Sequence, residues 1–157
     1  MRPNASINVS VSNHYGEPTY SSEVTSQGLL GERVEIIEHT PLFTKICQSD
    51  NYTSWVSSDQ VTRCDEIDGT PLLVTSHFMR IHLSASTSSD CLKDAVIGCR
   101  LMMVEEQDGW YRVTTPDGQK GWAEKKHFGA FPECSAENIL ALARYITGDP
   151  FWNAQIV

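Results

Sequence analysis

Gln27-Gly28-Leu29-Leu30-Gly31-Glu32-Arg33-Val34-Glu35-Ile36-Ile37 returns later in the chain as Asp94-Ala95-Val96-Ile97-Gly98-Cys99-Arg100-Leu101-Met102-Met103-Val104. The two stretches lie 67 residues apart, and the spacing persists on both sides without a gap. Toward the N-terminus, Ser21-Ser22 meet Ser88-Ser89 and Glu23 meets Asp90. Toward the C-terminus, Glu38 meets Glu105, Asp50 meets Asp117 and Trp55 meets Trp122. Ser21, Ser22, Gly31, Arg33, Glu38, Asp50 and Trp55 are all identical to their partners at this one offset. Chance does not keep one offset across so many turn and aromatic positions. The chain therefore reads as two copies of one small domain, residues 1–66 and 67–131, followed by a segment of another kind at 132–157.

Each copy reads as short strands. Val34 to Ile37 and Leu101 to Val104 are apolar runs of strand length. Trp110-Tyr111-Arg112-Val113 alternates, with Trp110 and Arg112 on one face and Tyr111 and Val113 on the other. Pro116-Asp117-Gly118 is a turn, since Pro presets its entry and Gly supplies positive φ, and Gln119 to Ala123 returns as the partner strand. Gly31 and Gly98, just ahead of the strands, are expected to hold special backbone angles. Ser, Thr and Pro crowd 16–26 and 84–90, the composition of a long exposed loop. Five or so short strands per copy suit a small, partly open barrel. Such a barrel is marginal alone, so the copies are expected to dock. Trp55 and Trp122, on the closing strands, are expected in the barrel cores.

The chain is 40% apolar and 20% charged, which suits a folded domain. Acids outnumber bases 20 to 12, for a net charge of −8. That excludes nucleic acid as the natural partner, since phosphates need a basic face, and disfavours an anionic membrane surface. No apolar run reaches the roughly 18–20 residues of a spanning helix, so no membrane insertion is expected. Met1 to Ser12 holds one Arg and no apolar stretch. A cytoplasmic location follows, with a periplasmic or extracellular one open if the N-terminus was trimmed. The five cysteines at 47, 64, 91, 99 and 134 form no CxxC pair, and the five histidines form no HExxH. No metal site and no cofactor are expected, and the thiols are expected reduced and mostly buried.

The second copy carries Gly98-Cys99-Arg100-Leu101, then Gly109-Trp110-Tyr111-Arg112-Val113, Pro116-Asp117-Gly118 and Gly121-Trp122-Ala123. This series resembles the bacterial SH3 (SH3b) domain. The first copy keeps Leu30-Gly31 and Trp55-Val56 but has Leu42-Phe43 where the Gly-Trp pair would stand and Ser54 for the closing Gly. The resemblance implies a mainly β fold, two SH3-like barrels in tandem followed by one C-terminal helix.

The tail supplies that helix. Ser135 is a candidate N-cap with Glu137 in the first turn, and Ile139, Leu140, Leu142, Ala143 and Ile146 form an apolar face. Gly148 and Pro150 stop it. So short a helix is unstable alone and must pack on the barrels or on something else. Ile139 to Gly148, then Asp149-Pro150-Phe151-Trp152, resembles the opening of NlpC/P60 cysteine peptidase domains. Two SH3b domains ahead of it look like the layout of γ-D-glutamyl-L-diamino acid endopeptidases, which cut murein peptides. The resemblance implies a non-catalytic targeting and specificity region, with the peptidase core not present, whose partners are murein peptides or a peptidase domain. Glu133-Cys134-Ser135 imitates the family's nucleophile, but its base is a downstream His, and the last His here is His127. The chain alone is expected to be inactive. There is no GxSxG elbow either.

In families of this layout the long loop of the first SH3b domain helps wall the substrate site, and an acidic side chain there can pair with the free amine of the peptide's terminal L-Ala. The matching loop is Tyr15 to Gln27, with Glu23 as the candidate substrate-binding residue and Glu17 and Tyr20 behind it. The other reading of each is a solvated loop side chain. A second functional reading is a free-standing SH3b pair that binds cell-wall fragments or a protein partner. A helix exposed on its apolar face favours the first reading, and one buried on the barrels the second.

Overall fold

The computed structural model describes residues 3–64, 67–130, 133 and 135–146. The first unit is a seven-stranded antiparallel sheet of β1 (Ala5–Ile7), β2 (Val11–Tyr15), β3 (Val24–Leu29), β4 (Arg33–His39), β5 (Phe43–Cys47), β6 (Thr53–Ser57) and β7 (Val61–Arg63). Its order is β3-β2-β6-β5-β4-β1-β7. The second has six strands: β8 (Thr70–Leu73), β9 (Phe78–His82), β10 (Cys91–Val96), β11 (Arg100–Gln107), β12 (Trp110–Thr114) and β13 (Lys120–Glu124), ordered β10-β9-β13-β12-β11-β8. The fold is mainly β, in two small units, with one short helix after them.

The spacing of 67 residues seen in the sequence governs the structure. β2 maps onto β9, β3 onto β10, β5 onto β12 and β6 onto β13, residue for residue. Register repeats as well. Ala5 pairs with Val34 as Leu72 pairs with Leu101, and a bulge between Ile36 and Glu38 recurs between Met103 and Glu105. Where β1 meets β7 at Ile7 and Val61, the second unit has the single bridge Val74–Phe128.

Strand alternation sets each core. Val34, Ile46 and Val56 fill the first, and Leu101, Val113 and Ala123 the second. The same alternation overturns the expectation for the tryptophans. Val56 and Ala123 take the inward positions, so Trp55 and Trp122 stand on the opposite face, half-buried. There Lys45 lies 5.6 Å from the Trp55 ring centre and Arg112 5.8 Å from that of Trp122. The cysteines also depart from expectation. Of the four described thiols only Cys99 is buried, and Cys91 is exposed.

The two units dock corner to corner. Leu30 belongs to the first unit, yet it is fully buried among Val74, Met79, Ile81 and Leu101 of the second. Gly31 has φ +84, and a Cβ there would lie 1.8 Å from the Arg100 carbonyl oxygen. Gly98, its counterpart, has φ +92, with Leu29 Cδ1 2.8 Å from its would-be Cβ. The Arg100 N–H donates to the Leu30 carbonyl at 2.9 Å. A polar clamp holds the units elsewhere. Lys93 Nζ donates to Asn8 Oδ1 at 2.7 Å and Asn8 O at 3.0 Å, and pairs with Asp117 at 2.9 Å. Burial raises the Asp117 pKa, but hydrogen bonds from Thr115, Lys93, Gln119 and Asn8 outweigh it and hold the carboxyl well below the usual range.

The helix α1 (Ala136–Ile146) begins as the sequence indicates, with Ser135 Oγ accepting the Asn138 N–H at 3.1 Å. Ile139 and Leu140 are 57% and 56% exposed. Gly148, Pro150 and the Phe151-Trp152 pair lie outside the described residues.

Candidate functional site: the first-unit loop and its copy

The loop joining β2 to β3 is short of apolar side chains, so its own hydroxyls and amides must satisfy its backbone. Ser22 Oγ accepts the Glu17 N–H at 3.0 Å, the Thr19 N–H reaches Glu17 O at 2.8 Å, and the Ser22 N–H reaches Thr19 O at 3.1 Å. The Gly16 N–H donates to Glu23 O at 3.1 Å, which fixes the far end. The side chains of Glu17 and Glu23 are exposed.

Tyr20 is the anchor. Its ring is 62% exposed, yet its hydroxyl hydrogen-bonds Ser57 Oγ at 2.8 Å. Its ring centre lies 4.8 Å from Phe43 and 5.8 Å from Tyr15, and Tyr15 and Phe43 are 6.0 Å apart. The Ser57 hydroxyl also bonds Asp59. The structure thus gathers Tyr20 with Tyr15, Phe43, Ser57 and Asp59. No hydrogen bond or ion pair among the described residues joins Glu23 to Glu17 or Tyr20. Phe43 and Ser57 escaped sequence reasoning. The signal for Phe43 was present: it occupies the position of Trp110, where the first copy departs from the Gly-Trp pattern.

The second unit rebuilds this loop atom for atom. Ser89 Oγ accepts the Ser84 N–H at 3.1 Å, the Ser86 N–H reaches Ser84 O at 2.7 Å, and the Leu83 N–H reaches Asp90 O at 3.0 Å. Its aromatic pair is His82 and Trp110, with centres 6.0 Å apart.

A buried polar chain lies beneath the first loop. Ser12 Oγ is 2.9 Å from His14 Nε2, His14 Nδ1 is 3.3 Å from Gln48 Oε1, and Gln48 Nε2 donates to Glu32 Oε1 at 3.0 Å. The Gln48 oxygen can only accept, so Nδ1 carries the proton and the Ser12 hydroxyl donates to Nε2. The order resembles a nucleophile, a base and an acid. However, Ser12 and His14 are both fully buried, so no substrate reaches them. Burial pushes the His14 pKa down, against the Gln48 hydrogen bond and the Glu32 charge. Cys134 lies outside the described residues.

No protein-family model matches the chain. In sequence it is similar to gamma-D-glutamyl-L-lysine dipeptidyl-peptidase of Bacillus cereus, 23% identical over 152 residues, covering 85% of this chain and 45% of the relative. In structure it is similar to an NlpC/P60 family protein from Bacillus cereus, with a TM-score of 0.72 at 18% identity, covering 89% of this chain and 62% of that one. The chain spans under half the length of the curated relative it matches. The structural likeness is one of fold. The sequence similarity is a weak one, to a curated peptidase, and the shared fold is that of part of an NlpC/P60 family protein.

Proposed function

We propose that the chain is the tandem SH3b region of an NlpC/P60-type murein peptidase, in which the barrels select and hold the peptide while a peptidase domain does the chemistry. The observation that carries this reading is the sequence similarity to a dipeptidyl-peptidase along 85% of the chain. In this reading 1–66 and 67–131 are the two SH3b domains and 132–157 leads into the peptidase domain. The exposure of Ile139 and Leu140 on α1 supports a partner surface there. The free thiols suit a cytoplasmic setting, where they stay reduced.

The first-unit loop is the proposed specificity element. Glu23 pairs with the free amine of a murein peptide's N-terminal L-Ala, and Tyr20, braced by Phe43 and Ser57, walls the site with Glu17 behind. A charge-assisted pair of this kind contributes roughly 1.5–3 kcal/mol once water is excluded.

The test needs the barrels together with a peptidase domain. Glu23→Gln lowers kcat/KM for a peptide with a free N-terminal Ala by about tenfold or more, and leaves the N-acetylated peptide unchanged. Equal losses on both peptides, or none, remove Glu23 as the amine reader. Folding stability changes by at most roughly 0–1 kcal/mol, because the carboxylate is exposed.

A further inference from the structure

The corner contact and the Lys93 clamp join the units. Beside them lies a cleft of about 500 Å³ between the units. The first unit contributes Ser6, Gly31 and Arg33, and the second contributes Pro71, Arg100 and Met102. Among its lining residues, the Gly31 backbone rests on the Arg100 carbonyl. Ser6 and Pro116, also in the lining, lie within two residues of the clamp residues Asn8 and Asp117 along the chain. Clefts of this size suit small ligands.

Its chemistry is unlike the rest of the surface. The chain is strongly acidic, with a net charge of −8, yet the described lining residues include two arginines and neither Asp nor Glu. Arg33 is occupied, donating to Cys64 O at 3.2 Å and Pro3 O at 3.3 Å. Arg100 is exposed, stands in none of the ion pairs among the described residues, and borders both this cleft and a smaller hollow that holds Glu32. The rest of the wall is mainly apolar: Pro71, Leu101, Met102 and Pro116.

We propose that the cleft between the units binds a short peptide by its free carboxylate, with Arg100 as the reader of that charge. The guanidinium fork suits a carboxylate. The apolar wall takes the neighbouring side chain. The cleft is separate from the first-unit loop, and the proposal does not rest on amine recognition by Glu23.

The chain is titrated with N-acetyl-alanyl-leucine and with its C-terminal amide, followed by amide NMR shifts. Both probes lack a free amine, so failure here says nothing about Glu23. The acid binds about tenfold or more tightly than the amide, and the shifts centre on Gly31, Arg100 and Met102. Arg100→Gln abolishes the preference for the acid without changing the thermal midpoint. Met102→Trp, which fills the cleft, weakens both probes and serves as the deciding variant should Arg100→Gln fold poorly. Equal binding of acid and amide, absence of binding, shifts centred elsewhere, or a preference that survives Arg100→Gln overturns the proposal.

Discussion

Gly31 and Gly118 hold nearly the same backbone angle, φ +84 and +80, in opposite surroundings. Nothing lies within 4 Å of a Cβ built on Gly118, whereas one on Gly31 strikes the Arg100 carbonyl. Gly118→Ala therefore costs only the left-handed strain, about 1–2 kcal/mol. Gly31→Ala adds a clash with backbone that cannot rotate away, and the docking corner must part. Urea midpoints of the two variants check this, and equal losses refute the steric part. His14 gives a second prediction at this scale. Its pKa is lowered on folding, so the unfolded chain binds the proton first. Stability from the neutral imidazole is full above its ordinary pKa of about 6.5 and is lost as pH falls below it. Wild type accordingly loses more stability than His14→Gln between about pH 7 and about pH 5. Parallel pH curves for the two proteins exclude His14 as the source.

The loop between β2 and β3 is held by hydroxyls rather than by a core. Ser22 is central, since its Oγ is the acceptor for the Glu17 amide. Ser22→Ala removes one net hydrogen bond, worth about 0.5–1.5 kcal/mol, and speeds hydrogen exchange across 16–23 without affecting Ile46 or Val56. Uniform exchange changes across the first unit contradict that local role. At this scale much was legible. The repeated Gly-x-Arg-apolar stretch, the Pro116-Gly118 turn and the Ser135 cap all announce themselves through local chemistry. The inward face of β6 and β13 was not legible, because a large aromatic next to a small apolar residue fits either direction of a strand. The Tyr20 anchor was only half visible. Its loop stands out by composition, but Phe43 and Ser57 come from strands 23 and 37 residues further on.

The whole molecule depends on contacts that no local pattern encodes. Asn8 and Asp117 meet across 109 residues, and Lys93 and Asn8 across 85. The sequence says that two copies exist and that each is too small to stand alone, but not which surface joins them. Leu30 tests the joint from outside the unit it supports. Leu30→Ala empties a fully buried site in the second core and costs about 2–5 kcal/mol, felt at Met79, Ile81 and Val113 although the substitution lies in the first unit. A loss confined to first-unit signals shows that the two cores are independent.

The joint between the units also carries a consequence for longer arrays, because its two sides are not alike. Leu30 of the first unit enters the second core, whereas Ile97, its counterpart 67 residues on, is not among the residues of the first core. Asn8 meets Lys93 and Asp117, whose counterparts in the first unit are Ser26 and Asp50 rather than Asn8 itself. A face that meets its own equivalent closes on itself, but a contact between unlike faces leaves one of each kind unspent. The second unit thus keeps its own version of the surface that the first unit offers, much as a brick laid in a course still presents an end to the next.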